Sequence, residues 1–114
     1  MARPEERERL AHILEAIELI EHAISDIDEA GFAADRLLRL GVERCLEIIS
    51  EASRHIPDNA KSRHPQIPWR RVADIGNRLR HAYHDTDSAL LWQIATTDLG
   101  ELKRSVQSMQ DEDA

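Results

Sequence analysis

The chain has 114 residues, 41% hydrophobic and 32% charged, and its 15 Lys and Arg against 22 Asp and Glu give a formal net charge of −7. No run approaches the about 18 consecutive apolar residues of a membrane span, and the opening MARPEERER, with no apolar core behind it, reads against a signal peptide. One cysteine, Cys45, excludes an internal disulfide and fits a reducing cytoplasm, while 4% aromatics, four glycines and four prolines leave little material for a turn-rich β fold and point to an all-α chain.

A first helix is expected from about Pro4 to Asp28. Pro4 suits a first turn, and Glu5 and Glu6 complement the positive end of the helix dipole. Leu10, Ile13, Ile17, Ile20, Ile24 and Ile27 step by threes and fours, which makes a narrow packing seam. Leu14 and Ala23 widen it, and Gly31 is read as the stop. A seam this narrow hints at a second chain.

The second helix is expected from about Ala33 to His55, with Leu37, Leu38, Val42, Cys45, Leu46, Ile49 and Ala52 as its apolar stripe. Cys45 is read there as a small buried hydrophobe. Pro57 and the polar DNAKSRHPQ end that helix in a loop of about ten residues. A third helix starts near Pro68 or Trp69 and runs to about His84. Asp85, Thr86 and Asp87 break it, and Asp87 or Ser88 caps a fourth helix through Ile94. Thr96 or Thr97 is expected to cap a last helix carrying Leu99, Leu102 and Val106, with Gly100 bending it away from the fourth. The expected architecture is a single domain over residues 1–110, an up-down bundle of four to five helices, with a frayed acidic tail at 111–114.

Charge is unevenly distributed. Residues 61–84 hold Lys61, Arg63, Arg70, Arg71, Arg78 and Arg80 against the single acid Asp74, a local charge of +5 that leaves −12 for the remainder. Such an island attracts an anion locally while the body repels bulk polyanions. On a wheel of about 100° per residue, Val72, Ile75, Leu79 and Ala82 form the core face of the third helix. Gly76, Asn77, Arg78, Arg80, His81, Tyr83 and His84 share the other arc, with His81 and Tyr83 about 160° apart. Lys and Glu, the usual residues of a solvated face, are absent between 71 and 84. Arg, His, Asn and Tyr, which handle phosphates and protons, stand in their place. Gly76 in mid-helix costs about 1 kcal/mol relative to alanine, so close approach of a backbone or a ligand is expected there.

The segments IPWRRVADIGNRLRHAYHDTD and LLWQIATTDLGELK, with RCLEIISEASRHIP in the second helix, resemble the HepT-like branch of the HEPN superfamily over about residues 7–105. The resemblance implies a HEPN-like bundle of four to five helices, a homodimer with a cleft between protomers, and a toxin of a bacterial toxin–antitoxin pair. It also implies a metal-independent ribonuclease and, as partner, an MNT nucleotidyltransferase antitoxin that in some pairs attaches AMP to a motif tyrosine. The family hallmark is an arginine, four to six residues, then His-x-Tyr. Carried over, the histidine is His81 and the tyrosine Tyr83. The arginine position falls on 74, 75 or 76, where this sequence has Asp74, Ile75 and Gly76. Asn77, which follows that arginine in the family, is retained. Arg80, one turn beyond Gly76, is expected to supply the missing guanidinium.

RNA cleavage of this kind needs a base, an acid and a cation beside the phosphorane. An imidazole suits either proton transfer, and an arginine fork matches phosphate oxygens. The expected site is therefore His81, Arg80, Asn77 and Tyr83. Tyr83 is also the AMP acceptor, and Arg78, His84 and Arg71 position substrate. No cofactor and no metal are expected: His81 and His84 near Asp85 and Asp87 lack a further ligand. An alternative stays open, a catalytically lapsed helical protein that binds the transferase without cutting RNA. His12 and His22 are read as solvated. Trp69 and Trp92 are read as packing anchors, and His55 as a partner of helix-end carbonyls.

Overall fold

The computed structural model describes residues 4–80 and 88–112. Among the described residues the regular structure is entirely helical: α1 (Pro4–Ile24), α2 (Glu29–Ala34), α3 (Arg36–Arg54), α4 (Asp58–Ser62), α5 (Trp69–Arg80), α6 (Ser88–Gln93) and α7 (Leu99–Glu112), with a π-helical turn, Ile94–Asp98, joining the last two. The all-α, HEPN-like bundle expected from the sequence is what forms. α3 lies between α1 and α5, and α7 closes on α1.

The alternating spacing along α1 lines up Leu10, Ile13, Ile17 and Ile20, each at most 1% exposed. Burying a side chain of this size stabilises the fold by about 1.5–3 kcal/mol relative to leaving it in water. Val42, Leu46 and Ile49 of α3 and Leu99, Leu102, Val106 and Met109 of α7 join the same core. The seam of α1 is therefore filled within the chain and is not held for a second copy.

Two aspartates divide the helices differently from the sequence reading. α1 stops at Ile24, before Asp28. The Asp28 carboxylate accepts from the Gly31 N–H at 2.8 Å, and Asp35 from the Leu38 N–H at 3.0 Å. Each aspartate satisfies an orphan donor of a new first turn and so restarts a helix. Gly31 is thus inside α2 and not a stop. An added Cβ there would lie 3.3 Å from the Asp28 carboxylate oxygen, so glycine leaves room for the cap.

The restart also moves Leu37, which the stripe had placed in the core, to the surface at 80% exposure. With Leu19 at 56%, it borders an uncovered apolar face of α1 and α3; Leu40 is exposed as well, at 51%. A groove of about 420 Å³ runs along this face, floored by Ile20, Val42 and Cys45.

The segment after Pro57 contains the short α4 and then a buried His64, whose Nε2 is 3.1 Å from Glu112 Oε1. α7 is helical through Glu112, into the tail expected to fray. At the other end of α7, the expected cap at Thr96 or Thr97 and the bend at Gly100 do not occur. The Thr96 hydroxyl donates to the Trp92 carbonyl at 2.7 Å, and the chain passes through the π turn with helical dihedrals at Gln93 and Leu99. Trp92 packs on Phe32, ring centroids 5.3 Å apart and tilted by 46°, as its reading as a packing anchor requires. Among the described residues no helix is long and apolar enough to cross a membrane.

Candidate functional site

α5 is positioned from both ends of its buried stripe. Trp69 anchors its first turn by donating from Nε1 to the His64 carbonyl at 3.1 Å. Val72, Ile75 and Leu79 then face the core, as the periodicity required.

Gly76 departs from that reading. The wheel put it on the polar arc, yet it is buried. Its N–H donates to Ser50 Oγ of α3 at 3.1 Å, and the same hydroxyl donates to the Ala73 carbonyl at 2.7 Å. Arg54 of α3 reaches that carbonyl too, through Nη2 at 2.8 Å. A mid-helix glycine is thus matched by close approach of a neighbouring helix of the same chain. The sequence carried a signal for this: Ser50 and Ser53 interrupt the stripe of Leu46 and Ile49, and buried hydroxyls need partners.

Of positions 74–76, where the hallmark arginine belongs, Ile75 and Gly76 turn into the bundle and only Asp74 is exposed. The Asp74 carboxylate accepts from Asn77 Nδ2 at 3.3 Å, so Asn77 sits on the outward face. α5 is described through Arg80. The Arg80 side chain lies outside the described residues, as do His81, Tyr83 and His84.

The basic island is not one surface. Arg63 stands 3.4 Å from Glu112, an exposed pair of the kind worth about 0–1 kcal/mol. The Lys61 ammonium lies 5.9 Å from the centroid of the Trp69 ring. Arg71 and Arg78 behave differently. Two turns apart, they share one flank of α5 and line a groove of about 270 Å³ between α5 and the start of α7. Val72, Ile75 and Leu102 lie at its base, and Thr97, Asp98 and Glu101 form the facing wall. Among the described residues, Arg71, Arg78, Asp98 and Glu101 make no ion pair with one another or with any neighbour. Two cations and two carboxylates thus share a groove without neutralising each other.

The acidic wall was not foreseen as part of a site. Asp98 belongs to the π turn, a wide-turn irregularity that recurs at functional positions in helices. Only the tertiary fold brings it opposite residues some twenty positions earlier.

The remaining candidates are structural. Burial pushes the Cys45 thiol above its ordinary range, with the Arg44 charge opposing. Thiolate is therefore scarce and a packing role fits. His55 hydrogen-bonds through Nε2 to Glu51 at 3.1 Å rather than to helix-end carbonyls. That bond, more than the neighbouring positive charges, holds the Glu51 carboxyl below its usual range. His12 is exposed near Glu8, and His22 is exposed. Among the described residues, no three His, Cys, Asp or Glu side chains stand together as a metal site.

A family model described as Ribonuclease HepT-like matches residues 13–109. The chain is 42% identical over 97 residues to the probable ribonuclease HepT of Thermococcus cleftensis, covering 85% of this chain and 88% of that protein. It is 36% identical over 98 residues to a candidate RNase of Methanocaldococcus jannaschii, covering 86% and 90%. No solved structure matches.

Proposed function

Because the chain belongs to the HepT-like ribonuclease family, we propose that it is the endoribonuclease toxin of a toxin–antitoxin pair, working in the cytoplasm and cutting RNA without a metal. The observation that carries this reading is the placement of Arg71 and Arg78 on α5, whose chain leads directly into His81-Ala82-Tyr83. Both guanidinium groups are left without carboxylate partners among the described residues.

In the proposed reaction a His81 imidazole takes the proton of a ribose 2′-hydroxyl. The 2′-oxygen attacks the adjacent phosphorus, and the bond to the 5′-oxygen breaks. A protonated His81, supplied by the second protomer of a homodimer, returns a proton to the leaving oxygen. Arg80 neutralises charge on the phosphorane in place of the hallmark arginine. Asn77 positions the phosphate, and Tyr83 orients the substrate. Arg71, Arg78 and His84 hold flanking nucleotides. The products are a 2′,3′-cyclic phosphate and a 5′-hydroxyl. The test is cleavage of a structured RNA in excess EDTA by the wild type and by His81→Ala. Loss of the product in the variant supports the reading, and equal cleavage removes it.

One observation favours the lapsed alternative. Ile75 and Gly76 are buried and Asp74 is an acid, so no guanidinium occupies the hallmark position. A protein of that kind would bind the nucleotidyltransferase and leave RNA intact with or without His81.

Two further proposals belong to this reading. Silencing comes from an MNT-type transferase that attaches AMP to Tyr83, which adds a phosphate charge beside the arginines and fills the cleft. Co-expression with that transferase should add the mass of one AMP to the peptide containing Tyr83, and unmodified peptide would remove the proposal. The homodimer uses the uncovered apolar face that Leu19 and Leu37 border, because large exposed apolar patches mark interaction surfaces. Leu19→Asp with Leu37→Asp should halve the molar mass seen by light scattering. An unchanged mass would place the interface elsewhere.

A further inference from the structure

We propose that the groove between α5 and the π turn is a guanine-selective subsite for one unstacked nucleotide of the RNA. The inference rests on the ribonuclease reading for its biological setting, but its chemistry comes from the groove alone.

Three features of the groove specify its ligand. The first is the base of the cleft, where Val72, Ile75 and Leu102 are each at most 7% exposed. An apolar floor suits the face of a nucleobase. The second is the α5 wall, where Arg71 and Arg78 lie along one flank. Their spacing lets one or both forks grip the phosphate of that nucleotide. The third is the opposite wall, where Asp98 and Glu101 stand one helical turn apart. Ionised carboxylates are acceptors only, so they demand hydrogen-bond donors.

Guanine alone among the RNA bases presents two adjacent donors, N1–H and the N2 amino group, on its Watson–Crick edge. A carboxylate accepts both in a bidentate pair. Adenine and cytosine offer one amino group beside a ring acceptor that a carboxylate repels, and uracil offers one N–H between two carbonyls. Base edges of single-stranded RNA are commonly read in this way. A groove of about 270 Å³ lies just under the range of roughly 300–1,000 Å³ typical of small-molecule pockets. It admits one nucleotide and not a duplex.

The four charges make this more than a polar cleft. Arginines and carboxylates that face each other for structural reasons usually pair, and these do not. A guanine nucleotide satisfies both walls at once, with its phosphate on the cations and its base edge on the anions.

The test is an NMR titration of the full-length chain with GMP, IMP, AMP, CMP and UMP. GMP should bind about tenfold more tightly than AMP, CMP or UMP, with shifts at Arg71, Arg78, Asp98 and Glu101. IMP, which lacks the N2 amino group, should lose most of that preference. Asp98→Asn combined with Glu101→Gln keeps side-chain size at two exposed positions and should bring the five ligands within about threefold of one another. Equal affinity for all five in the wild type, shifts confined to other surfaces, or no binding at all would overturn the subsite. RNA cleavage by the same preparation separates the two readings. A chain that cuts RNA but does not prefer GMP loses the subsite and keeps the nuclease. One that prefers GMP but cuts nothing loses the nuclease and keeps the subsite.

Discussion

Replacing His81 by alanine should lower the rate of RNA cleavage by about two to four orders of magnitude, the range lost when a positioned acid or base is removed. The effect is expected to be this large because the proposed mechanism has no metal-bound water to take over the proton transfers. Asn77 and the arginines bind and stabilise charge but do not exchange protons near neutral pH. Arg80→Ala should fall by about a hundredfold or more, as for loss of an oxyanion-stabilising donor, while its thermal midpoint stays close to the wild type. An Arg80 variant that cleaves normally would show that Arg80 does not stand in for the hallmark arginine. A His81 variant that cleaves normally would end the nuclease assignment of that residue.

Ser50→Leu should lower the thermal midpoint by about 8–16 °C. Ser50 is 1% exposed and faces the backbone of α5, with Gly76 and Ala73 as its partners. Leucine removes a bridging hydroxyl, a loss of about 1 kcal/mol. It also forces a branched side chain into a closely packed contact, which costs about 1–3 kcal/mol more. For a domain of this size each kcal/mol corresponds to roughly 4 °C. Ser50→Ala, which loses only the hydroxyl, should cost about a third as much. A midpoint unchanged by the leucine variant would mean that α3 and α5 are held apart more loosely than the two hydrogen bonds imply.

The parts of this fold that periodicity governs were readable from the residues. Leu10, Ile13, Ile17 and Ile20 share a stripe whatever they pack against, and so do Val72, Ile75 and Leu79. The family resemblance, carried by IPW and His81-x-Tyr83, agrees with a family match spanning residues 13–109. The helix boundaries were less readable. Asp28 and Asp35 each sit where a helix could continue, and only the local backbone decides that their carboxylates capture Gly31 and Leu38 instead. The side of the helix that Gly76 faces was misjudged because glycine has no side chain to reveal it, and its burial depends on Ser50 of another helix. The acidic wall of the groove was missed for the same reason. Asp98 and Glu101 read as ordinary surface acids until folding sets them across from Arg71 and Arg78.

The π turn at Ile94–Asp98 has a bearing on how this segment tolerates insertions and deletions. Upstream of it, Leu91 is buried and Trp92 rests on Phe32; downstream, Leu99, Leu102 and Val106 are buried beside α1. The wide turn, with its surplus residue, lies between these two sets. Removing one residue there would swing everything beyond it by about 100°, carrying leucines into water and both groove acids out of register. The spacing from Trp92 to Leu99 is therefore constrained as a length, independently of which amino acids fill it.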